Sequence, residues 1–252
     1  MSIKTATLNG VATIEIARPE KKNAITVDMY AAMAAALRDA VADATVRAVL
    51  ITGQPGIFTS GNDLEDFMQR PKQGMDSPVF QFMKALTTCD KPVVAAVTGA
   101  AIGIGTTMLL HCDLVVLADD AQLSTPFVSL ALVPEAASSL LMPARIGHAR
   151  AYEMFALGET VPAQAALQWG LANRVVPLDK LDAEALALAQ RLARQPAGAL
   201  TATKRLMRNG EVLVAQMQAE GEQFAQRLRT AEAREAFTAF AERRPPDFTK
   251  VA

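Results

Sequence analysis

Three stretches of the chain hold residues that could do chemistry: Gly99-Ala100-Ala101-Ile102-Gly103-Ile104-Gly105, Ser60-Gly61-Asn62-Asp63 and Pro134-Glu135. The glycine cluster admits three uses. A phosphate-binding P-loop ends in Gly-Lys-Ser/Thr, but Gly105 is followed by Thr106-Thr107. A dinucleotide fingerprint needs a further glycine where Met108 stands. The third use is a sharp turn that brings a backbone N–H up to an anion, with the positive end of a helix starting near Ile104 behind it. The plain alternative is a tight turn with close helix packing. Taken alone, Ser60-Gly61-Asn62-Asp63 is an ordinary turn, and Glu135 is a carboxylate in the first turn of a helix beginning near Ala136.

The elements that must position these residues follow from periodicity. Ile3 to Leu8 and Val11 to Ala17 alternate around Asn9-Gly10, which predicts a hairpin. Thr26 is expected to cap a helix running to about Asp39. Buried strands are expected at Val46–Thr52 and Val93–Val97, a further strand at Asp113–Ala118, and helices over Val79–Thr88 and from the glycine cluster to about Cys112. Gly53–Phe58 reads as turns and Leu64–Ser77 as polar and irregular. This alternation argues for an α/β protein with a largely parallel sheet. From Pro143 onward the pattern is helical (Leu181–Leu192, Gly198–Met207, Glu211–Arg229), with one strand at Ala172–Val176 and a loosely ordered tail after Pro245-Pro246.

With both anion-holding segments at strand ends, the chain resembles the crotonase, or enoyl-CoA hydratase/isomerase, family over nearly its whole length. Arg18-Pro19-Glu20-Lys21-Lys22-Asn23-Ala24-Ile25 resembles the family's early signature, where a strand end meets coenzyme A. Lys91-Pro92-Val93-Val94-Ala95-Ala96-Val97-Thr98-Gly99 resembles its central strand, and Cys112-Asp113 and Gly158-Glu159 before Ala163-Gln164-Ala165-Ala166 also match. The resemblance implies a crotonase (ClpP-like) fold of repeated ββα units, with a core over residues 1–195 and a helical trimerisation and lid region over 196–252. It implies that the N–H groups of Asn62 and Ile104 form an oxyanion hole for a thioester enolate. It also implies that Lys22, Ala24, Ser60, Gly61, Asp63, Leu64 and Gly103 line the acyl-CoA site. Asp63 is alternatively a helix cap, and exposed lysines in a turn are usually just solvated.

Hydratases of the family have two glutamates. The matching positions here are Thr107 and Phe127. A carboxylate stands instead at Glu135, in Leu132-Val133-Pro134-Glu135-Ala136-Ala137-Ser138-Ser139, a segment similar to that of peroxisomal-type Δ3,Δ2-enoyl-CoA isomerases, whose catalytic base is this glutamate. One shuttling carboxylate suffices for moving a double bond, so the resemblance implies conversion of 3-enoyl-CoA to 2-trans-enoyl-CoA in fatty-acid degradation. The alternatives are another crotonase-fold CoA-thioester enzyme and a non-catalytic acyl-CoA-binding member. His111 is expected in the core or an interface, and Trp169 in packing at a helix end.

Composition narrows the partners. The net charge of −1 gives no electrostatic reason to expect nucleic acid or a membrane surface. Two histidines and two cysteines, Cys89 and Cys112, are too few for a His-based zinc site or a disulfide framework. No long apolar run marks a signal peptide or membrane span. The expectation is a soluble cytoplasmic enzyme without a metal or a cofactor beyond the coenzyme A of its substrate. Family resemblance implies a homotrimer or dimer of trimers.

Overall fold

A computed structural model describes residues 2–69 and 74–251. In chain order its strands are β1 (Ile3–Leu8), β2 (Val11–Ile16), β3 (Ala48–Thr52), β4 (Ile57–Thr59), β5 (Val93–Val97), β6 (Ala100–Ile102), β7 (Leu114–Ala118), β8 (Gln122–Ser124), β9 (Val161–Pro162) and β10 (Arg174–Val176). Among the described residues they form two sheets, ordered β1-β2-β3-β5-β7-β10 and β4-β6-β8-β9. All pairs are parallel except the β1–β2 hairpin and β8–β9. At the hairpin, Asn9 and Gly10 take φ of 52° and 78°, the two-residue turn that suits the twist of the strands.

The helices are α1 (Val27–Ala42), α2 (Leu64–Gln69), α3 (Pro78–Thr87), α4 (Ile104–Thr107), α5 (Ser138–Ile146), α6 (His148–Leu157), α7 (Ala163–Trp169), α8 (Leu181–Ala193), α9 (Ala197–Met207), α10 (Gly210–Arg227) and α11 (Ala231–Ala241). Thr26 caps α1 by accepting from Met29 N. The ββα repeat is direct. β3 and β4, β5 and β6, and β7 and β8 each send one strand to the large sheet and the next to the small one before the chain turns helical.

The large sheet is covered on both faces. Ile14, Val49, Ala95 and Val115 belong to the core shared with α1 and α3. Leu50, Val94, Ala96 and Val116 of the opposite face meet Leu181, Ala185 and Leu188 of α8. β5 is therefore buried at every position, as an unbroken apolar run in a parallel sheet requires.

Four expectations change. Part of Gly53–Phe58 is strand β4, and β6 lies inside the glycine cluster. Strands of three residues carry no readable period and exist only through their neighbours. Leu64–Gln69 is helical rather than irregular, while residues 70–73 of that stretch lie outside the described residues. The helical region starts before Pro143, at Ser138, and includes α11. The tail after Pro246 folds back: Asp247 N donates to Glu235 Oε1 at 2.9 Å, and Phe248 packs beside Ala233 and Ala236.

The two sheets meet closely at Gly99. Its φ is +56°, and a Cβ there would stand 2.0 Å from the carbonyl oxygen of Gly56. Gly99→Ala is expected to destabilise the protein by at least about 2–3 kcal/mol, because neither backbone segment can yield; urea unfolding of the variant measures it.

Candidate active site

The small sheet sets the Ser60–Asp63 and Gly103–Gly105 segments side by side. β4 and β6 pair in parallel, Ile57 with Ala100 and Thr59 with Ala101, so Ser60–Asp63 and Gly103–Gly105 leave the sheet at the same end. Glycine is needed on both sides. A Cβ on Gly61 would stand 3.0 Å from Ile102 O, and one on Gly105 would stand 2.6 Å from Thr59 Cγ2. Ile25 N donates to Gly61 O at 2.8 Å, and Asp63 N donates to Ile25 O at 2.9 Å. In such a parallel bridge the N–H of the intervening residue, Asn62, points the other way. Ile104 opens α4, so its N–H is one of the helix's orphan donors. Among the described residues neither Asn62 N nor Ile104 N meets an acceptor.

The first segment is held by a buried polar cluster. Arg18 Nη1 donates to Asp63 Oδ2 at 2.6 Å and to Ala24 O at 3.0 Å. Asn23 is fully buried and donates from Nδ2 to Ile57 O and Phe58 O, each at 3.1 Å. Ser60 N donates to Lys22 O at 3.1 Å, which joins the Pro19–Ala24 turn to the loop. Lys22, Ala24, Ser60, Gly61, Asp63 and Leu64 thus share one neighbourhood. Lys21 and Lys22 are exposed there. The Asp63 carboxylate is engaged by Arg18, and it also accepts from Asp66 N, the cap role considered for it. Gly103 takes φ +57° and donates to Ser124 O at 2.9 Å.

Glu135 opens on a cavity of about 390 Å³ between α3 and α10. Val79, Phe80 and Met83 line one side, and Met217, Gly221, Phe224 and Leu228 the other. Its Oε1 is buried and, among the described residues, has no hydrogen-bond partner. Burial, reinforced by the nearby charge of Glu220, pushes the carboxyl up to about 7. Tyr30, on α1, is buried and donates to Asn62 Oδ1 at 2.5 Å. Its own phenol is raised by burial and then by the charge of Glu135. Tyr30 thus touches Asn62 and lies within the electrostatic reach of Glu135, whereas neither Asn62 nor Ile104 is among the residues lining the cavity.

The helix-cap alternative for Glu135 does not hold. α5 begins at Ser138 rather than near Ala136, and its first turn is capped by Glu220 of α10, which accepts from Ala137 N at 2.6 Å and Ser139 N at 2.9 Å. His111 lies in the core, as expected. Its Nε2 meets Ala136 O at 2.6 Å, so that nitrogen carries the proton and Nδ1 accepts from Thr87 Oγ1 at 3.0 Å. Burial lowers the imidazole to about 3 and keeps it neutral. Thr107 is buried with its hydroxyl unpartnered among the described residues, and Phe127 packs on Phe155. Trp169 stacks under Arg150 at a helix end. Tyr30 and Glu220 are not singled out by the sequence reading. Glu220 did leave a trace: it falls on the buried stripe of α10 with Leu213 and Met217.

A family profile described as Enoyl-CoA hydratase/isomerase matches residues 6–251. The chain is 34% identical over 249 residues to 1,2-epoxyphenylacetyl-CoA isomerase of Escherichia coli (strain K12), covering 95% of both chains. It is 35% identical over 209 residues to enoyl-CoA delta isomerase 2 of Rattus norvegicus, covering 80% of this chain and 53% of that one. The crystal structure of an enoyl-CoA hydratase/isomerase from Pseudoalteromonas atlantica T6c superposes with a TM-score of 0.94 at 42% identity, over 98% of this chain and 100% of the other. The chain belongs to the enoyl-CoA hydratase/isomerase, or crotonase, family. No helix among the described residues is long and apolar enough to cross a membrane.

The raised Glu135 carboxyl has a consequence for stability. Its folded value of about 7 lies above the ordinary 4.5, so the native state holds the proton more tightly than the unfolded chain. The cost of ionising it in place is absent below about pH 4.5 and fully present above about pH 7. Glu135→Gln is therefore expected to stabilise the protein by about 2–3 kcal/mol at pH 8 and to leave it unchanged at pH 4; urea unfolding at the two pH values tests this.

Proposed function

We propose that this chain is an acyl-CoA double-bond isomerase that converts 3-enoyl-CoA to 2-trans-enoyl-CoA, with Glu135 as its single acid–base group. The observation that carries this is a buried carboxylate oxygen at the apolar cavity that has no partner among the described residues, in a chain with Thr107 and Phe127 at the positions matching the two hydratase glutamates. Glu135 takes a proton from C2. The negative charge that develops on the thioester oxygen is held by the Asn62 and Ile104 N–H groups, whose loss would cost about 2.7–4 kcal/mol per donor. Protonated Glu135 returns the proton at C4, and the double bond shifts by one position. Water addition would need another group to activate water.

The apolar walls receive the acyl chain, and the three segments carrying Lys22 and Ala24, Ser60, Gly61, Asp63 and Leu64, and Gly103 receive the coenzyme A end. Residues 196–252 serve as lid and trimerisation region around a core of residues 1–195. Supporting this are α10, which walls the cavity, and the side chains of Leu206 and Met207 on α9, exposed to 89% and 83% in the isolated chain. A homotrimer or dimer of trimers is the assembly expected by light scattering; a monomer at micromolar concentration would remove it.

A second reading is favoured by the similarity to the Escherichia coli protein named 1,2-epoxyphenylacetyl-CoA isomerase: a rearrangement of another CoA thioester at the same carboxylate. Incubation with 3-hexenoyl-CoA and 2-hexenoyl-CoA side by side separates the readings. Conjugation of the first without hydration of the second supports the isomerase, and fast hydration sinks it. Glu135→Gln is expected to lower kcat/KM by about 10²–10⁴-fold. Because the base must be ionised, wild-type kcat/KM should rise with pH through a midpoint of about 7.

A further inference from the structure

Glu135 ends a loop that its own sequence does not stabilise. Ala136 and Ala137 both take left-handed backbone, φ 62° and 55°, at a cost of the order of 1 kcal/mol each for a residue with a Cβ. Ala137 precedes α5 without a side chain able to cap it. Two groups from distant elements supply what is missing. His111 Nε2 donates to Ala136 O, and the Glu220 carboxylate accepts from Ala137 N, Ser139 N and the Ser139 hydroxyl. Gln216, one turn before Glu220, donates to that hydroxyl at 2.9 Å.

We propose that Glu220 is a positioning residue for Glu135: it reaches from α10 to cap α5, fixes the left-handed pair behind the catalytic loop, and sets a second carboxyl group beside the base. This rests on Glu135 being the base only for its kinetic readout. Burial raises the Glu220 carboxyl, but its hydrogen bonds oppose that. Among the described residues Glu135 Oε1 has no such donor, so Glu220 ionises first and Glu135 must then lose its proton in the field of an existing anion. The positive end of α5, which would otherwise favour an ionised Glu135, is already neutralised by Glu220. The titratable groups facing Glu135 from the surrounding elements are Tyr30 on α1, neutral His111, and Glu220 and Glu222 on α10. Among these Glu220 is the anion that raises Glu135.

The test is a ¹³C-carboxyl NMR titration of wild type and Glu220→Gln, with the Glu135 signal assigned by its loss in Glu135→Gln, beside the pH profile of kcat/KM. The Glu135 midpoint is expected to fall by about one pH unit in Glu220→Gln, and the acidic limb of kcat/KM to fall with it. A Glu135 midpoint that stays in place overturns the proposal, whatever the activity does. A midpoint that moves while the acidic limb does not upholds the role of Glu220 and removes Glu135 as the base. Should Glu220→Gln fail to fold, the wild-type spectrum still decides. Glu220 must ionise before Glu135 as the pH rises; a Glu220 midpoint above that of Glu135 overturns the proposal.

Discussion

The close parallel approach of β4 and β6 is the constraint on which the rest of the structure depends. Two backbone segments can present N–H groups to one small volume only if nothing stands between them. Gly99 against Gly56, Gly61 against Ile102 and Gly105 against Thr59 each remove an atom that would force the segments apart. The large sheet, with β3 and β5 buried on both faces, fixes where each short strand begins. The cluster of Arg18, Asn23 and Asp63 then ties the outer segment down without occupying its outward-facing N–H.

A second physical tension is set against this backbone frame. A carboxyl group in an apolar cavity resists ionisation, and each element around Glu135 adds to that resistance or leaves it untouched. α3 and α10 surround it with apolar side chains, Tyr30 donates its proton to Asn62 rather than to Glu135, and Glu220 contributes like charge. The result is a group whose proton affinity lies near neutrality, the range in which one residue can both take and return a proton.

Much of this was legible in the sequence, and the limits have physical causes. Long periodic elements such as α1, β5 and α8 declare themselves, because their own residues decide their state. The glycine cluster and Ser60–Asp63 were legible as a pair, since close backbone approach selects for glycine. β4, β6 and β8 were not, because three residues paired to distant neighbours have no local signature. Resemblance singled out Glu135 as a base and position alone suggested a helix cap; the structure sets it at the cavity and leaves the capping of α5 to Glu220. The residue that caps the helix, Glu220, is some eighty positions away and looks in the sequence like one more charge on an amphipathic helix. Tyr30 likewise reads as core until its hydroxyl is seen to meet Asn62.

The reach of α10 to the start of α5 also bears on when the protein becomes competent. Synthesis runs from the N-terminus, and domains consolidate in that order. The sheets, the paired glycine turns and Glu135 all precede residue 209, whereas the acid that steadies the loop and one wall of the cavity come after it. A chain that stops between α9 and α10 has both sheets and Glu135 but neither the Glu220 cap of α5 nor one wall of the cavity. Under the proposed function, competence then waits on α10.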